Sequence, residues 1–219
     1  MKQKRLFIVL STILIILCAS NIKLHYDVFN LHKHHLVRQP KYSYAYDCIK
    51  EAEITYWDYK CALVNEVQKY IEQIAPSSNL RGYAIVEECE KYDVDICFVL
   101  AQGEIESSFG TKGIASKLNC VFNVGIYDNK TTEQIEDKYK FEYPNESIEP
   151  YLKLLTTKYL VNKLEHDLMR KFVDINGNRY ASDKDYEIKI SSKYKFICEN
   201  TKIHEYYDMM KSWAIKCNR

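Results

Sequence analysis

Six glycines and four prolines in 219 residues are too few for a turn-dense all-β fold, and they exclude collagen-like and low-complexity chains. Charge of one sign is missing too: 31 Lys and Arg stand against 30 Asp and Glu. A chain that neutralises phosphates needs surplus cation, so no nucleic acid is expected as a partner. No charge-free apolar run reaches the roughly 20 residues of a membrane-spanning helix. Histidine is scarce beyond residue 46, where only His166 and His204 remain, too few for a usual catalytic zinc site. The chain has no C-x-x-C pair, Walker loop, G-x-S-x-G or H-E-x-x-H. No metal or other cofactor is implied.

What is present is a chain that is 47% hydrophobic, enough for a core and too much for a disordered polymer. Lys2, Lys4 and Arg5 precede the charge-free run Leu6–Ser20. This is the pattern of a secretory signal or of a short signal anchor, and residues 6–20 offer membrane attachment if they are kept. Export follows in either case: secretion, a periplasmic location or anchoring at the cell envelope. Residues 21–46, with His25, His32, His34 and His35, read as a solvated linker, because their spacing closes no metal site. Residues 47–219 form one domain, expected to be a monomer. Seven cysteines lie beyond the apolar run, an odd number that cannot all pair within one chain. Export permits one or two disulfides, and the spacing selects none.

Within the domain the hydrophobic period is helical. Val64, Val67, Ile71 and Ile74 mark a helix over 62–74, starting as early as Asp47 and stopped by Pro76. Ser77-Ser78-Asn79 is placed to cap the next helix, with Leu80, Tyr83, Ala84 and Val86 inward. Residues 94–108 are mostly apolar and predict a central buried helix. Residues 145–160, 164–172, 182–197 and 203–215 predict four more, with Ser182 as a cap. The polar stretch 128–143 is the place for a small β-hairpin lobe or flap. The fold class is mainly α (α+β).

The chemistry gathers at the end of the buried helix, Ala101-Gln102-Gly103-Glu104-Ile105-Glu106-Ser107-Ser108-Phe109-Gly110. Acids at i and i+2 point to different sides of a helix, so one at most faces a cleft. Glu106 shares a face with Gln102 and Phe109. A carboxyl ending an apolar helix beside an aromatic ring is partly desolvated and can hold a proton near neutral pH, as a general acid for glycoside cleavage must.

These residues resemble a known family. Ala101-Gln102, Glu106-Ser107 and Phe109-Gly110 are similar to the A-Q-x-x-x-E-S-x-[WF]-G signature of the N-acetylglucosaminidase family of peptidoglycan hydrolases, which has flagellar, autolysin and phage-type members. Asn119-Cys120-Val121-Phe122-Asn123 falls where that family has N-N-x-F-G. Tyr143, Asn145, Ser147-Ile148 and Tyr151 stand on its Y-x-S-x-x-x-S-x-x-x-Y region, and Arg179-Tyr180-Ala181-Ser182-Asp183 with Tyr186 on its R-Y-A-T-D-P-x-Y. The likeness is strongest to short phage-type domains. It implies a lysozyme-like domain that binds a peptidoglycan glycan strand and cleaves β-1,4 bonds next to N-acetylglucosamine. Glu106 stands on the family's acid. Gln102, Phe109, Asn119, Phe122 and Tyr180 stand on residues that line or shape the cleft. Thr131-Thr132-Glu133 matches the T-x-E context of a second carboxylate, with Asp128 and Glu142 as rivals. A neighbouring acetamido group can replace that carboxylate as nucleophile. Cys120, Asn123, Ser182 and Lys184 depart from the family's Asn, Gly, Thr and Pro. A lytic transglycosylase and a non-catalytic wall-binding module are the competing readings.

Overall fold

The computed structural model describes residues 43–126 and 131–217, with side chains from 55 to 126 and from 131 to 212. The expected signal or anchor and most of the linker lie outside the described residues. The chain divides into two compact units, Met1–Glu51 and Ala52–Arg219. Of the first, the described part is helical from Ser43 onward, so residues 43–46 of the expected linker are helix.

Helix α1 (Ser43–Ile74) buries Leu63, Val67, Tyr70 and Ile71, a stripe at helical spacing. Helix α2 (Gly82–Tyr92) lies against it so closely that a Cβ on Gly82 would stand 2.7 Å from Gln68 N and 2.9 Å from Val64 O. The Ser77–Asn79 turn does not cap α2. Ser78 Oγ donates instead to Phe109 O at 2.7 Å, and the Gly82 N–H is satisfied by Gln68 Oε1 at 2.7 Å, an α1 side chain. Ala84, Ile85, Val86 and Cys89 face inward, whereas Tyr83 is exposed.

Helix α3 (Ile96–Ser107) is the axle of the fold. Its first eight residues are all buried, so it is apolar on every side as a helix surrounded by protein must be. Asp95 caps it, accepting from Cys97 N at 2.7 Å and Phe98 N at 3.2 Å. Two later helices, α7 (Tyr186–Asn200) and α8 (Ile203–Cys217), pack on it together with α2. Ile190 and Ile197 of α7 and Ile203, Tyr207 and Met210 of α8 complete the core.

Between α3 and α7 the chain is short-jointed. A single turn, α4 (Ala115–Leu118), ends in a left-handed Asn119 and leads to the buried Cys120, Val121 and Phe122. The described part of the expected β-lobe, 131–143, has no strand. It forms 3₁₀ turns at Thr132–Gln134 and Asp137–Tyr139, the first held by Gln134 Oε1 accepting from Thr131 N at 2.9 Å. A third such turn, Pro144–Ser147, enters α5 (Ile148–Leu154), which runs on as a π-helical turn, Leu155–Tyr159. The expected helix over 164–172 is reduced to α6 (Glu165–Leu168). The β pairing among the described residues is one bridge, Val173 to Arg179. It closes around Asp174, whose carboxylate accepts from Asn176 N and Asn178 N at 2.8 Å each. Among the described residues no helix is long and apolar enough to cross a membrane.

The backbone contact at Gly82 yields a stability prediction. Gly82→Ala, which improves intrinsic helix propensity by up to ~1 kcal/mol, should instead destabilise the domain by about 1–3 kcal/mol, because backbone atoms of α1 cannot yield. Urea unfolding measures it, and a variant at least as stable as the parent would refute the close approach.

Candidate active site

The last turn of α3 decides what its side chains do. Ser108 and Phe109 both take left-handed backbone (φ 49° and 55°), followed by Gly110 at φ 80°. The chain thereby doubles back, with Phe109 N donating to Gly103 O at 3.0 Å. Ser107 fastens the turn, its Oγ donating to Val121 O at 2.6 Å and accepting from Gly110 N at 2.7 Å. Phe109 is driven under the helix. Its ring and that of Phe122 pack on Gly103, where an added Cβ would lie 3.2–3.3 Å from ring carbons of both.

Glu104 and Glu106 separate as their spacing requires. Glu104 turns toward α1 and α7, accepting from Tyr70 Oη at 2.5 Å and pairing with Lys193 Nζ at 2.6 Å. Glu106 turns the other way and lines a cleft of about 710 Å³. The α3 exit lines it together with Lys112–Ile114 and Asn123–Ile126. The rest of the lining is Leu154 at the end of α5, Lys158 and Tyr159 of the π turn, Tyr180–Asp183, Tyr186 and Lys189.

Two residues orient the Glu106 carboxyl. Tyr186, at the start of α7, donates its hydroxyl to Oε1 at 2.5 Å. Asn123 Nδ2 donates to Oε2 at 3.0 Å and to the Glu106 backbone O at 2.9 Å. Burial, with the neighbouring Tyr180 and Glu106, pushes the Tyr186 phenol well above its ordinary range. It therefore stays protonated and remains a donor. Tyr180 is half-buried in a ring stack, 4.5 Å from Phe172 and 5.7 Å from Tyr186 between centroids, and its hydroxyl donates to Phe122 O at 3.2 Å.

The other residues expected at the site are placed as follows. Gln102 is fully buried and accepts from the Tyr151 hydroxyl, so it faces the interior. Phe109 and Phe122 are each 1% exposed, and Phe122 stacks on Tyr151 at 3.9 Å. Both pack on Gly103, and neither is among the residues lining the cleft. Asn119 Nδ2 is committed to Phe141 O and Glu142 O at 3.0 and 2.9 Å, which pins the 141–142 segment. Tyr180 does line the cleft. Glu133 is exposed and does not line it. A hydrogen bond from Thr131 holds its carboxyl below the usual carboxylate range. Glu142 is likewise exposed, and Asp128 lies outside the described residues.

Nothing in the sequence pattern marks Asn123 and Tyr186 as partners of the acid. Asn123 stands on a glycine of the family motif and has φ 51°, backbone that glycine adopts freely and asparagine tolerates best among the rest. The other carboxylate on the cleft wall is Asp183, held below its usual range by Lys189, 2.5 Å away, and by the Asp185 N–H. Among the described residues no three His, Cys, Asp or Glu side chains gather as a metal site.

A mainly helical domain with one oriented glutamate, carried by the end of a buried helix into an open cleft, has the layout of a lysozyme-like glycoside hydrolase. The glucosaminidase family, described as mannosyl-glycoprotein endo-beta-N-acetylglucosaminidase, matches residues 82–198, and the chain belongs to that family. The match takes in α2, α3, the cleft and most of α7, and supports peptidoglycan hydrolysis in general terms. No curated protein matches the chain.

Tyr186→Phe keeps the ring stack and removes one hydrogen bond to a charged group, an interaction of about 1.5–3 kcal/mol. The expected outcome is a fall in kcat of roughly 10- to 100-fold with KM within about twofold, read from steady-state kinetics on glycan fragments. An unchanged kcat would remove Tyr186 from the positioning of Glu106.

Proposed function

We propose that this chain is an exported endo-β-N-acetylglucosaminidase that hydrolyses the β-1,4 bond next to N-acetylglucosamine in peptidoglycan. The observation that carries the reading is the position of Glu106, half-buried on the wall of the cleft and held by Tyr186 and Asn123. Glu106 donates its proton to the leaving-group oxygen as the bond breaks. Tyr159 and Tyr180 offer ring surface, and Lys112 and Lys158 place positive charge at the rim, suited to the carboxylates of lactyl-peptide stems.

The second role falls to the substrate. Among the described residues the cleft carries two carboxylates, Glu106 and Asp183, and Asp183 is tied to Lys189. In the proposed mechanism the acetamido oxygen of the sugar attacks the anomeric carbon as Glu106 protonates the leaving group. Glu106, now a carboxylate, then takes a proton from the water that opens the cyclic intermediate. The configuration is retained. Glu133, on its exposed turn, has no step in this scheme. Residues 1–20 supply export, and 6–20 supply membrane attachment if they are not removed.

Digestion of purified peptidoglycan, with product ends identified by mass, tests the reading. The parent should release fragments ending in reducing N-acetylglucosamine. Glu106→Gln should lose at least about a thousandfold in rate, and Glu133→Gln should stay within about threefold. Anhydro-muramic ends would instead identify a lytic transglycosylase. A folded parent that binds the polymer without cutting it would be a wall-binding module.

A further inference from the structure

Helices α3 and α7 run antiparallel, so the contact that brings Tyr186 to Glu106 at one end has a second end. There the start of α3 meets the last turns of α7. Tyr194 donates its hydroxyl to Asp95 Oδ2 at 3.0 Å, the far oxygen of the carboxylate that caps α3. One turn further along α7, on the same face, is Cys198, and in the first turn of α3 is Cys97. The Tyr194–Asp95 bond sets the register of the two helices and brings these two thiols together, where each acts on the other's ionisation. Cys97 is fully buried and Cys198 is partly exposed. Neither lines the cleft; Cys61, Cys89 and Cys120 are free thiols as well, and the fully buried Cys89 is near enough to Cys97 to act on its charge.

We propose that Cys97 and Cys198 form a disulfide that locks the start of α3 to the end of α7. Their asymmetry suits the exchange. Cys198 is reachable from solvent, and its thiol is lowered to about 7 by the hydrogen bond from Cys97, aided by Tyr194 and His204, while burial and Asp95 oppose the shift. Its thiolate attacks a small-molecule disulfide such as oxidised glutathione, forming a mixed disulfide and expelling one thiolate, which takes up a proton. Cys97, already adjacent, loses its proton and attacks the Cys198 sulfur, expelling the second thiol. Two protein thiols are oxidised and one disulfide is reduced to two thiols. The bond closes a loop of about 100 residues that contains the whole cleft, the long-loop case in which a cross-link restricts the unfolded chain most.

The full chain, equilibrated in a glutathione redox buffer, alkylated, digested without reduction and mapped by mass, provides the test. The expected result is one peptide pair joined through Cys97 and Cys198, with Tm roughly 5–15 °C above that of the reduced protein. In Cys198→Ser, a change at a partly exposed position that should still fold, the joined pair and the Tm difference should both vanish. Two alkylated thiols at these positions under oxidising conditions, or either cysteine joined to a different one, would overturn the pairing. The joined pair without a Tm gain would overturn the lock.

Discussion

The reversal of the chain at the end of α3 is the constraint on which the rest of the site depends. A helix buried on all sides has no face to offer a substrate. It can contribute a reactive group only where it stops. Here it stops through three consecutive left-handed residues, two of them not glycine, a conformation that costs about 1–2 kcal/mol per ordinary residue. The return comes from Phe109, which fills the space beside Gly103, and from Ser107, which ties the turn to Val121. The aromatic ring that follows the acid in sequence therefore works from below, as part of the floor.

Around that stop the fold sorts two carboxylates by environment. Glu104 meets a phenol and an ammonium, which fix it as a structural anion between α1, α3 and α7. Glu106 meets a phenol and an amide, both neutral donors, and an open cleft. The phenol and the amide fix the direction in which the carboxyl faces the cleft. Two residues in sequence are enough to separate a brace from an acid.

Much of this was legible in the sequence. The period of Val67 and Ile71, the solid apolar run from Ile96 and the i, i+2 spacing of the acids point to α1, α3 and a single cleft-facing glutamate. The inward turn of Phe109 and Phe122 was not legible, because an aromatic ring satisfies a core and a sugar-binding wall equally well. Ser77–Asn79 looked like a cap, yet a glutamine fourteen residues before Gly82 took that role across a helix contact, which local pattern cannot reveal. The stretch 131–143 is polar and turn-rich, a composition shared by hairpins and by successive 3₁₀ turns; the choice is made by Asn119 clamping residues 141 and 142. Asn123 did leave a trace, as a departure at a glycine position, and its backbone angle explains why asparagine is accepted there.

The π turn at Leu155–Tyr159 has a consequence for how the cleft can change over time. A π turn accommodates a surplus residue within a helix, and here that surplus falls where Lys158 and Tyr159 reach the rim. Loss of one residue at this point would restore an ordinary helix and turn Lys158 and Tyr159 by roughly 100° about its axis. Lys158 O, which accepts from Ile175 N at 2.9 Å, would lose its hold on the hairpin turn. A deletion there would redraw one bank of the cleft while leaving the glutamate and its two donors in place. Substrate range could then diverge between related chains without any change in the residues that perform the reaction.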